Sequence, residues 1–424
     1  MSGRKRRNGH ALSRGSTIAA LDVGTAKVCC FIAKLEASGP RVIGIGHQIA
    51  QGVRAGAIVD MEAAEQAIRA TVQAAEQMCG ETIREVHVNV SCGVPTSSRI
   101  HVDVAIAGHE VSASDVRRAM MEGGQGDFED NRRILHRIPI DHAIDDTTGI
   151  ADPTGMFGDR LALTLHRVDA APGPVRNLET VIERAHLDVA GLVTTPYASG
   201  LACLADDESD LGVTLVDIGA GTTSLALFFG GRLIHQDVLP VGGGHVTGDL
   251  ARGLTTPLLH AERIKVLFGS LLPSRTDDHE MVEVTPVGES DSVQPNQVPR
   301  ALINSIVRPR VEEILEMVRD RLHASGFDRL VGRRAVITGG ASQTPGMQDY
   351  AGRVLDKQVR IARPAYISGL AEATGGPAFS TAAGLLTYAL NAPDGPDYGP
   401  RPTDRTLPAL GMFGRVGGWL RDHF

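Results

Sequence analysis

The sequence predicts an α/β protein built as two similar lobes around a cleft, and three observations carry that prediction. The chain has 424 residues, enough for about three ordinary domains or one large two-lobed protein. One pattern, an apolar strand that ends in Asp-x-Gly and returns as a second apolar strand, occurs twice. A third glycine cluster joins an apolar strand to a helix. Glycine occupies 49 positions, above the usual roughly 7%, as tight turns and close backbone approaches require.

Composition removes other classes. Hydrophobic residues make up 42% and charged residues 22%, close to soluble averages, which excludes wholesale disorder and a disulfide miniprotein. A formal charge of -8 argues against an extensive nucleic-acid surface. Five cysteines, two of them adjacent at Cys29 and Cys30, show neither CxxC nor metal-like spacing, as expected of a reduced cytosolic protein. No apolar run approaches the roughly 18 residues of a membrane span, and no signal-peptide core follows the first methionine.

In chain order, residues 1–15 read as a disordered basic tail with Arg4, Lys5, Arg6 and Arg7, a weak contact for anionic lipid at most. Ile18 to Ala33 form a hairpin around the turn Asp22 to Lys27. Asp60 caps a helix to about Met78 whose buried stripe is Ala64, Ile68, Val72 and Ala75, and Val86, Val88 and Val90 alternate as a strand. Residues 101–179 carry no phosphate-turn signature. They show strands at Ile100 to Ile106, Ile134 to Ile140 and Arg160 to Val168 with a helix from Ser114 to about Met121, the pattern of a small inserted domain. A helix over about 174–187 returns the chain to the first lobe.

The second lobe starts near Gly212 and repeats the hairpin at Val213 to Phe229, so that Asp217 matches Asp22 and Gly219 matches Gly24. Glu262 and Lys265 lie one helical turn apart. Ser270 to Pro299 reads as a mobile loop with one short strand around Val282 to Val284. Ala301 to Leu322 form a helix, kinked near Pro309, with Ile303, Val307, Val311, Ile314, Val318 and Leu322 on its buried side. Arg300, Asn304 and Arg308, spaced i, i+4, i+8, are expected on its exposed face. Val336 to Ser342 then make the strand and Gly-Gly turn before a helix at Gly346 to Leu355.

Two such hairpins facing each other present backbone N–H groups and hydroxyls to phosphate oxygens, and glycine is needed where a side chain would block the approach. Gly24, Thr25, Gly219, Gly221 and Thr222 are the candidate phosphate residues, and Lys27 either reaches a phosphate or points outward. Asp22 and Asp217 are placed to orient hydrated Mg²⁺, which needs only one or two carboxylates. Glu262, Lys265, Gly339 and Gly340 are candidates for flanking ribose and adenine.

These motifs, in this order, resemble the actin, Hsp70 and sugar-kinase superfamily. Leu-Asp-Val-Gly-Thr from Leu21, Val-Asp-Ile-Gly-Ala-Gly-Thr from Val216, Asp249 to Lys265, Ile-Thr-Gly-Gly-Ala-Ser from Ile337 and the stretch from Ser380 to Tyr388 are similar to the bacterial cell division family FtsA. The likeness runs from about Thr17 to Leu390 and resumes at the C-terminal tail. It implies an actin-like two-lobed ATPase fold with duplicated mixed sheets and an inserted 1C subdomain of SHS2 type. Its expected parts are 1A at 16–100, continued at 180–210 and 370–390; 1C at 101–179; 2A at 211–253, continued at 331–369; and 2B at 254–330.

Residues 391–409 hold Pro393, Pro396, Pro400, Pro402 and Pro408 and read as an extended tether. Residues 410–424 read as an amphipathic helix with Phe413, Val416, Leu420 and Phe424 on one side, Trp419 beside them and Arg415 and Arg421 at the border. About 22 Å long, it suits the membrane interface and not a span.

The resemblance further implies Mg²⁺-ATP as ligand, self-polymerisation, attachment to anionic lipid on the cytoplasmic face of the plasma membrane at the septum, and later division proteins meeting 1C. It also implies that Arg300, Asn304 and Arg308 receive the acidic C-terminal peptide of FtsZ. Many superfamily ATPases place Glu or Gln on the segment that here reads Thr194 to Ser199, so slow hydrolysis is expected. A PilM-like pilus-assembly protein and a small-molecule kinase are the alternatives of the same fold. An Hsp70-type chaperone is disfavoured because no β-rich substrate domain follows the second lobe.

Overall fold

The computed structural model describes residues 15–37, 39–123, 132–288 and 295–391. The Arg4–Arg7 tail, the proline-rich tether beyond Asn391 and the terminal segment with Phe413, Arg415, Val416, Trp419, Leu420, Arg421 and Phe424 lie outside them.

The first lobe opens with β1 (Thr17–Val23) and β2 (Lys27–Glu36), antiparallel with Asp22 opposite Cys29. β3 (Gly39–Ile49) extends the meander, and a two-residue ladder, β4 (Val53–Arg54) and β5 (Ala57–Ile58), leads into α1 (Met61–Cys79). The Asp60 carboxylate accepts from the N–H groups of Glu62 and Ala63, which satisfies two donors the helix cannot, and left-handed Gly80 ends it. The stripe Ala64, Ile68, Val72 and Ala75 is buried against the sheet. β6 (Glu85–Val90) follows, parallel to β1.

An inserted unit comes next: β7 (Thr96–Ala105), α2 (Ala113–Glu122), β8 (Arg133–Ile144) and β9 (Arg160–Ala170). Its strands form a separate antiparallel sheet in the order β7-β9-β8 around a core of its own, which includes Val102, Val104, Met120, Leu161, Leu163 and Leu165. The expected cuts at 101 and 179 fall inside β7 and inside α3 (Pro172–Arg184), whose Val175, Leu178, Val181 and Ile182 pack in the first-lobe core. The unit therefore runs from about residue 96 to 170. β10 (Asp188–Thr194) completes the first sheet, β10-β6-β1-β2-β3.

After α4 (Thr195–Cys203) and α5 (Asp206–Leu211) the second lobe repeats the plan with β11 (Val213–Ile218), β12 (Thr223–Phe229) and β13 (Arg232–Leu239). α6 (Gly243–Gly253), α7 (Leu258–Phe268), β14 (Met281–Val284), β15 (Asn296–Pro299) and α8 (Arg300–Ala324) follow. The expected single strand near Val282 is a hairpin, since β14 pairs with β15 and buries Val282 and Val284 in the second-lobe core. β16 (Arg334–Thr338), α9 (Met347–Leu355), β17 (Gln358–Ile361) and α10 (Ser380–Asn391) complete the described residues. The sheet order β13-β12-β11-β16-β17 matches the first lobe position for position: an antiparallel meander, then two parallel strands. The fold is actin-like, with duplicated mixed sheets.

The lobes meet on α4 and α10, which pack between β1, β2 and β11. A Cβ on Gly384 would stand 1.7 Å from the Ala198 carbonyl oxygen. Only glycine lets the two helices come this close. Gly384→Ala should push them apart and cost about 1–3 kcal/mol of stability, measured as a lower urea midpoint.

The inserted sheet docks on both lobes through two buried histidines. The His136 Nε2 accepts the Thr194 N–H at 3.0 Å, and the ring meets Tyr197 edge-on. The His166 Nδ1–H donates to Leu233 O at 2.9 Å, with Nε2 2.9 Å from the Ser97 hydroxyl. Burial pushes both imidazoles down to about 3. The unfolded chain, with ordinary values near 6.5, then binds more protons between about pH 3 and 6.5, so stability falls as pH drops through that window, by about 1.4 kcal/mol per pH unit for each ring. Urea unfolding at pH 5 and pH 7 should show this loss, and His166→Gln should make the pH dependence shallower.

Candidate functional site

β1 and β11 end at Asp22 and Asp217 on the same cleft. Both carboxylates are nearly buried, at 7% and 6% exposure. The turns that follow close alike: the Gly24 N–H donates to Lys27 O at 3.0 Å, and the Gly219 N–H donates to Thr222 O at 2.9 Å. Gly221 lies so close to Thr25 of the opposite lobe that a Cβ would stand 2.4 Å from the hydroxyl oxygen. Gly339 holds φ 87, a left-handed conformation that glycine alone adopts freely, and a side chain there would strike the Asp217 carboxylate.

Between the lobes is a cavity of about 420 Å³. Asp22, Gly24, Thr25, Lys27, Asp217, Gly219, Gly221, Thr222, Glu262, Lys265, Gly339 and Gly340, all picked out from sequence, line it together. Lys27 is turned inward, with its Nζ 3.6 Å from Asp22 Oδ2 and no hydrogen bond to any of the described residues. On the far wall Lys265 Nζ lies 2.6 Å from Glu262 and donates to Gly243 O at 3.1 Å and to the Thr247 hydroxyl at 2.9 Å.

The site is short of positive charge. Burial raises the Asp22 carboxyl above its ordinary range, with Lys27 only partly offsetting it. Burial also pushes Asp217 up to about 6, against hydrogen bonds from Ser199 (2.5 Å) and Thr381 (3.3 Å), and the charge of Asp22 adds to the rise. A cation beside the pair would lower both.

The comparisons with known proteins agree with this geometry. The family described as cell division protein FtsA matches residues 214–384, and the SHS2 domain inserted in FtsA matches residues 93–168. The cell division protein FtsA of Rhizobium meliloti (strain 1021) is 44% identical over 422 residues, spanning 97% of this chain and 96% of that protein. This chain belongs to the FtsA family of cell division proteins. Two solved structures share its fold at lower identity. A chain of the PilM-PilN type IV pilus biogenesis complex is 18% identical with a TM-score of 0.61, covering 88% of this chain and 98% of that one. MreB5 of Spiroplasma citri bound to ADP is 14% identical with a TM-score of 0.53, covering 89% and 97%. At such identities the likeness speaks for the fold alone, and the FtsA relationship displaces the pilus-assembly and kinase alternatives.

FtsA membership leaves the cleft residues to be placed individually, and some were not anticipated. Asn89, Ser91 and Thr195 line the cavity from the ends of β6 and β10. The Asn89 Oδ1 accepts the Val23 N–H at 2.7 Å and its Nδ2 donates to Thr195 at 3.2 Å, while the Ser91 and Thr195 hydroxyls lie 2.7 Å apart. The repeat held the signal for them: β6 runs beside β1 as β16 runs beside β11, so its end falls where the glycine turn after β16 falls in the other lobe.

The proposed peptide face needs correction. Asn304 is 1% exposed: its Oδ1 accepts the Ser270 N–H at 2.9 Å and its Nδ2 donates to Asp277 at 3.2 Å. Arg300 donates to Phe268 O and to Glu280, and Arg308 donates to Leu272 O and faces Asp277. The segment after α7 folds over this side of α8, so the three side chains fasten that segment and are not a free acidic-peptide surface. Asn304→Leu should cost about 1–3 kcal/mol because it leaves the Ser270 N–H unpaired in the interior, measured by urea unfolding.

Proposed function

We propose that this FtsA-family protein binds Mg²⁺-ATP in the cleft and, so loaded, assembles on the cytoplasmic face of the plasma membrane at the septum. There it tethers FtsZ through its C-terminal peptide and helps recruit later division proteins through the inserted unit. The observation that carries the ligand reading is the pair of matched Asp-Gly turns facing across one cavity, with a shielded ammonium that makes no hydrogen bond to the described residues.

The residues present fit such a ligand. Gly24, Thr25, Gly219, Gly221 and Thr222 offer N–H groups and hydroxyls to phosphate oxygens. Glu262 and Lys265 would face ribose, and Gly339 and Gly340 leave room for a flat base. Among the described residues no group of three or more His, Cys, Asp or Glu converges as a metal site. Asp22 and Asp217 would therefore orient Mg²⁺ together with phosphate oxygens and water, as that ion prefers. A bound Mg²⁺ would supply the positive charge these two carboxylates lack.

Thr195 occupies the connecting segment where an acid or amide would orient attacking water. Its hydroxyl is already engaged with Asn89 and Ser91, and Asn89 is itself committed to Val23. Those three residues hold the first-lobe wall, and none of them carries a carboxylate to accept the water's proton, which supports slow turnover and a role for nucleotide as an assembly ligand. The adenine nucleotide in MreB5 of Spiroplasma citri and the filament of MamK support nucleotide binding and polymerisation in this fold.

Attachment rests on the 410–424 sequence, since no helix among the described residues is long and apolar enough to cross a membrane. One short helix binds weakly, and many on one filament bind by avidity. For the FtsZ peptide, Arg300, Asn304 and Arg308 are all withdrawn from the expected role, because they are engaged with residues 268–280.

Calorimetry should find ATP binding that weakens about tenfold or more in Asp217→Asn when Mg²⁺ is present, with unassisted turnover well below about one per second. Absence of adenine nucleotide binding by the folded chain would overturn the ligand reading. Co-sedimentation with anionic vesicles should be lost on deleting residues 410–424; retention would overturn the attachment reading.

A further inference from the structure

Lys27 sits between two unlike partners. On one side is the Asp22 carboxylate at 3.6 Å, and on the other is the face of Phe379, with Nζ 4.2 Å from the ring centroid. Its Nζ is shielded from solvent yet makes no hydrogen bond, so its three N–H donors have no acceptor within bonding distance among the described residues. Lys27 also lines the cavity between the lobes.

The ring is held firmly. Phe379 is 8% exposed and stacks on Phe31 at 6.0 Å with 16° between the planes, while His47 meets it edge-on at 6.0 Å. It ends the single 3₁₀ turn Pro377–Phe379, whose Pro377 carbonyl accepts the Gly339 N–H at 3.2 Å and the Thr338 hydroxyl at 3.3 Å. The ring therefore joins the first-lobe lysine to the glycine turn of the second lobe. An aromatic face attracts a cation through its quadrupole without accepting a directed hydrogen bond. A second carboxylate there would neutralise the ammonium and occupy its donors.

We propose that Phe379 is a positioning residue for the nucleotide's phosphates: its ring seats the Lys27 ammonium at the cleft with donors free for a phosphate oxygen. This deepens the Mg²⁺-ATP reading and rests on it. The seat is built before the ligand arrives, so its benefit goes to phosphate-bearing ligands and not to the nucleoside.

The test is calorimetry of the full-length chain with ATP and with adenosine, in Mg²⁺ buffer, for wild type, Lys27→Ala, Phe379→Leu, Phe379→Tyr and the Lys27→Ala/Phe379→Leu double variant. Phe379→Leu should weaken ATP binding about five- to tenfold and adenosine binding less than about twofold, and Phe379→Tyr should keep wild-type affinity for both. The double variant should bind ATP as Lys27→Ala does, because the ring acts only through the lysine. Equal weakening of ATP and adenosine by Phe379→Leu, or an undiminished effect of that substitution in the Lys27→Ala background, would overturn the proposal and leave nucleotide binding standing. Failure of the wild-type chain to bind ATP would overturn both.

A second measurement guards against a Phe379→Leu chain that does not fold. In the nucleotide-free wild-type protein, NMR of isotopically labelled lysine should place the Lys27 ε-methylene resonance upfield through the ring current of Phe379. Its absence there would overturn the seat directly.

Discussion

Two carboxylates from different lobes, Asp22 and Asp217, are buried side by side at the floor of one cleft, and the rest of the structure is arranged around their charge. Burial raises both above the ordinary carboxylate range. One ammonium, that of Lys27, and two hydroxyls, those of Ser199 and Thr381, oppose that cost without removing it. The pair is thus a place where an added positive charge would lower the free energy of the fold.

The scaffold meets this constraint by duplication. Each lobe ends an equivalent central strand on the cleft, and each turn closes with the same N–H to carbonyl bond, so one local solution is used twice. The lobes rest on α4 and α10, packed backbone to backbone at Gly384 and Ala198. Thr195 begins α4 and also lines the cavity, while Thr194, one residue earlier, is bonded to His136 of the inserted unit. Cleft, α4 and inserted sheet are therefore consecutive in one hydrogen-bonded junction.

Much of the fold was legible in local patterns. The Asp60 cap, the α1 stripe and the α8 stripe from Ile303 to Leu322 follow from period and capping chemistry, and all those apolar residues are buried. The cleft residues were legible because the two hairpins repeat each other. Asn304 was misread for a definite reason. Spacing of i, i+4, i+8 puts Arg300, Asn304 and Arg308 on one side of a helix, but it carries no information about which other segment covers that side. Residues 268–280 do so here. The hairpin of β14 and β15 was missed likewise, because its polar, proline-bearing second strand has no alternation of its own and exists by pairing with the first.

What the sequence by itself determined is the two-lobed plan and the placing of the two Asp-Gly turns on one cleft, because each is written in a short repeat whose turns fold the same way in both lobes. Tertiary structure alone decided the partners. Lys27 turned inward onto a ring more than three hundred residues away, Asn89 and Thr195 joined on the wall of the cleft, and Asn304 became an internal clasp. These are contacts between side chains remote along the chain, fixed only when burial and packing bring the lobes together, and no local spacing encodes them.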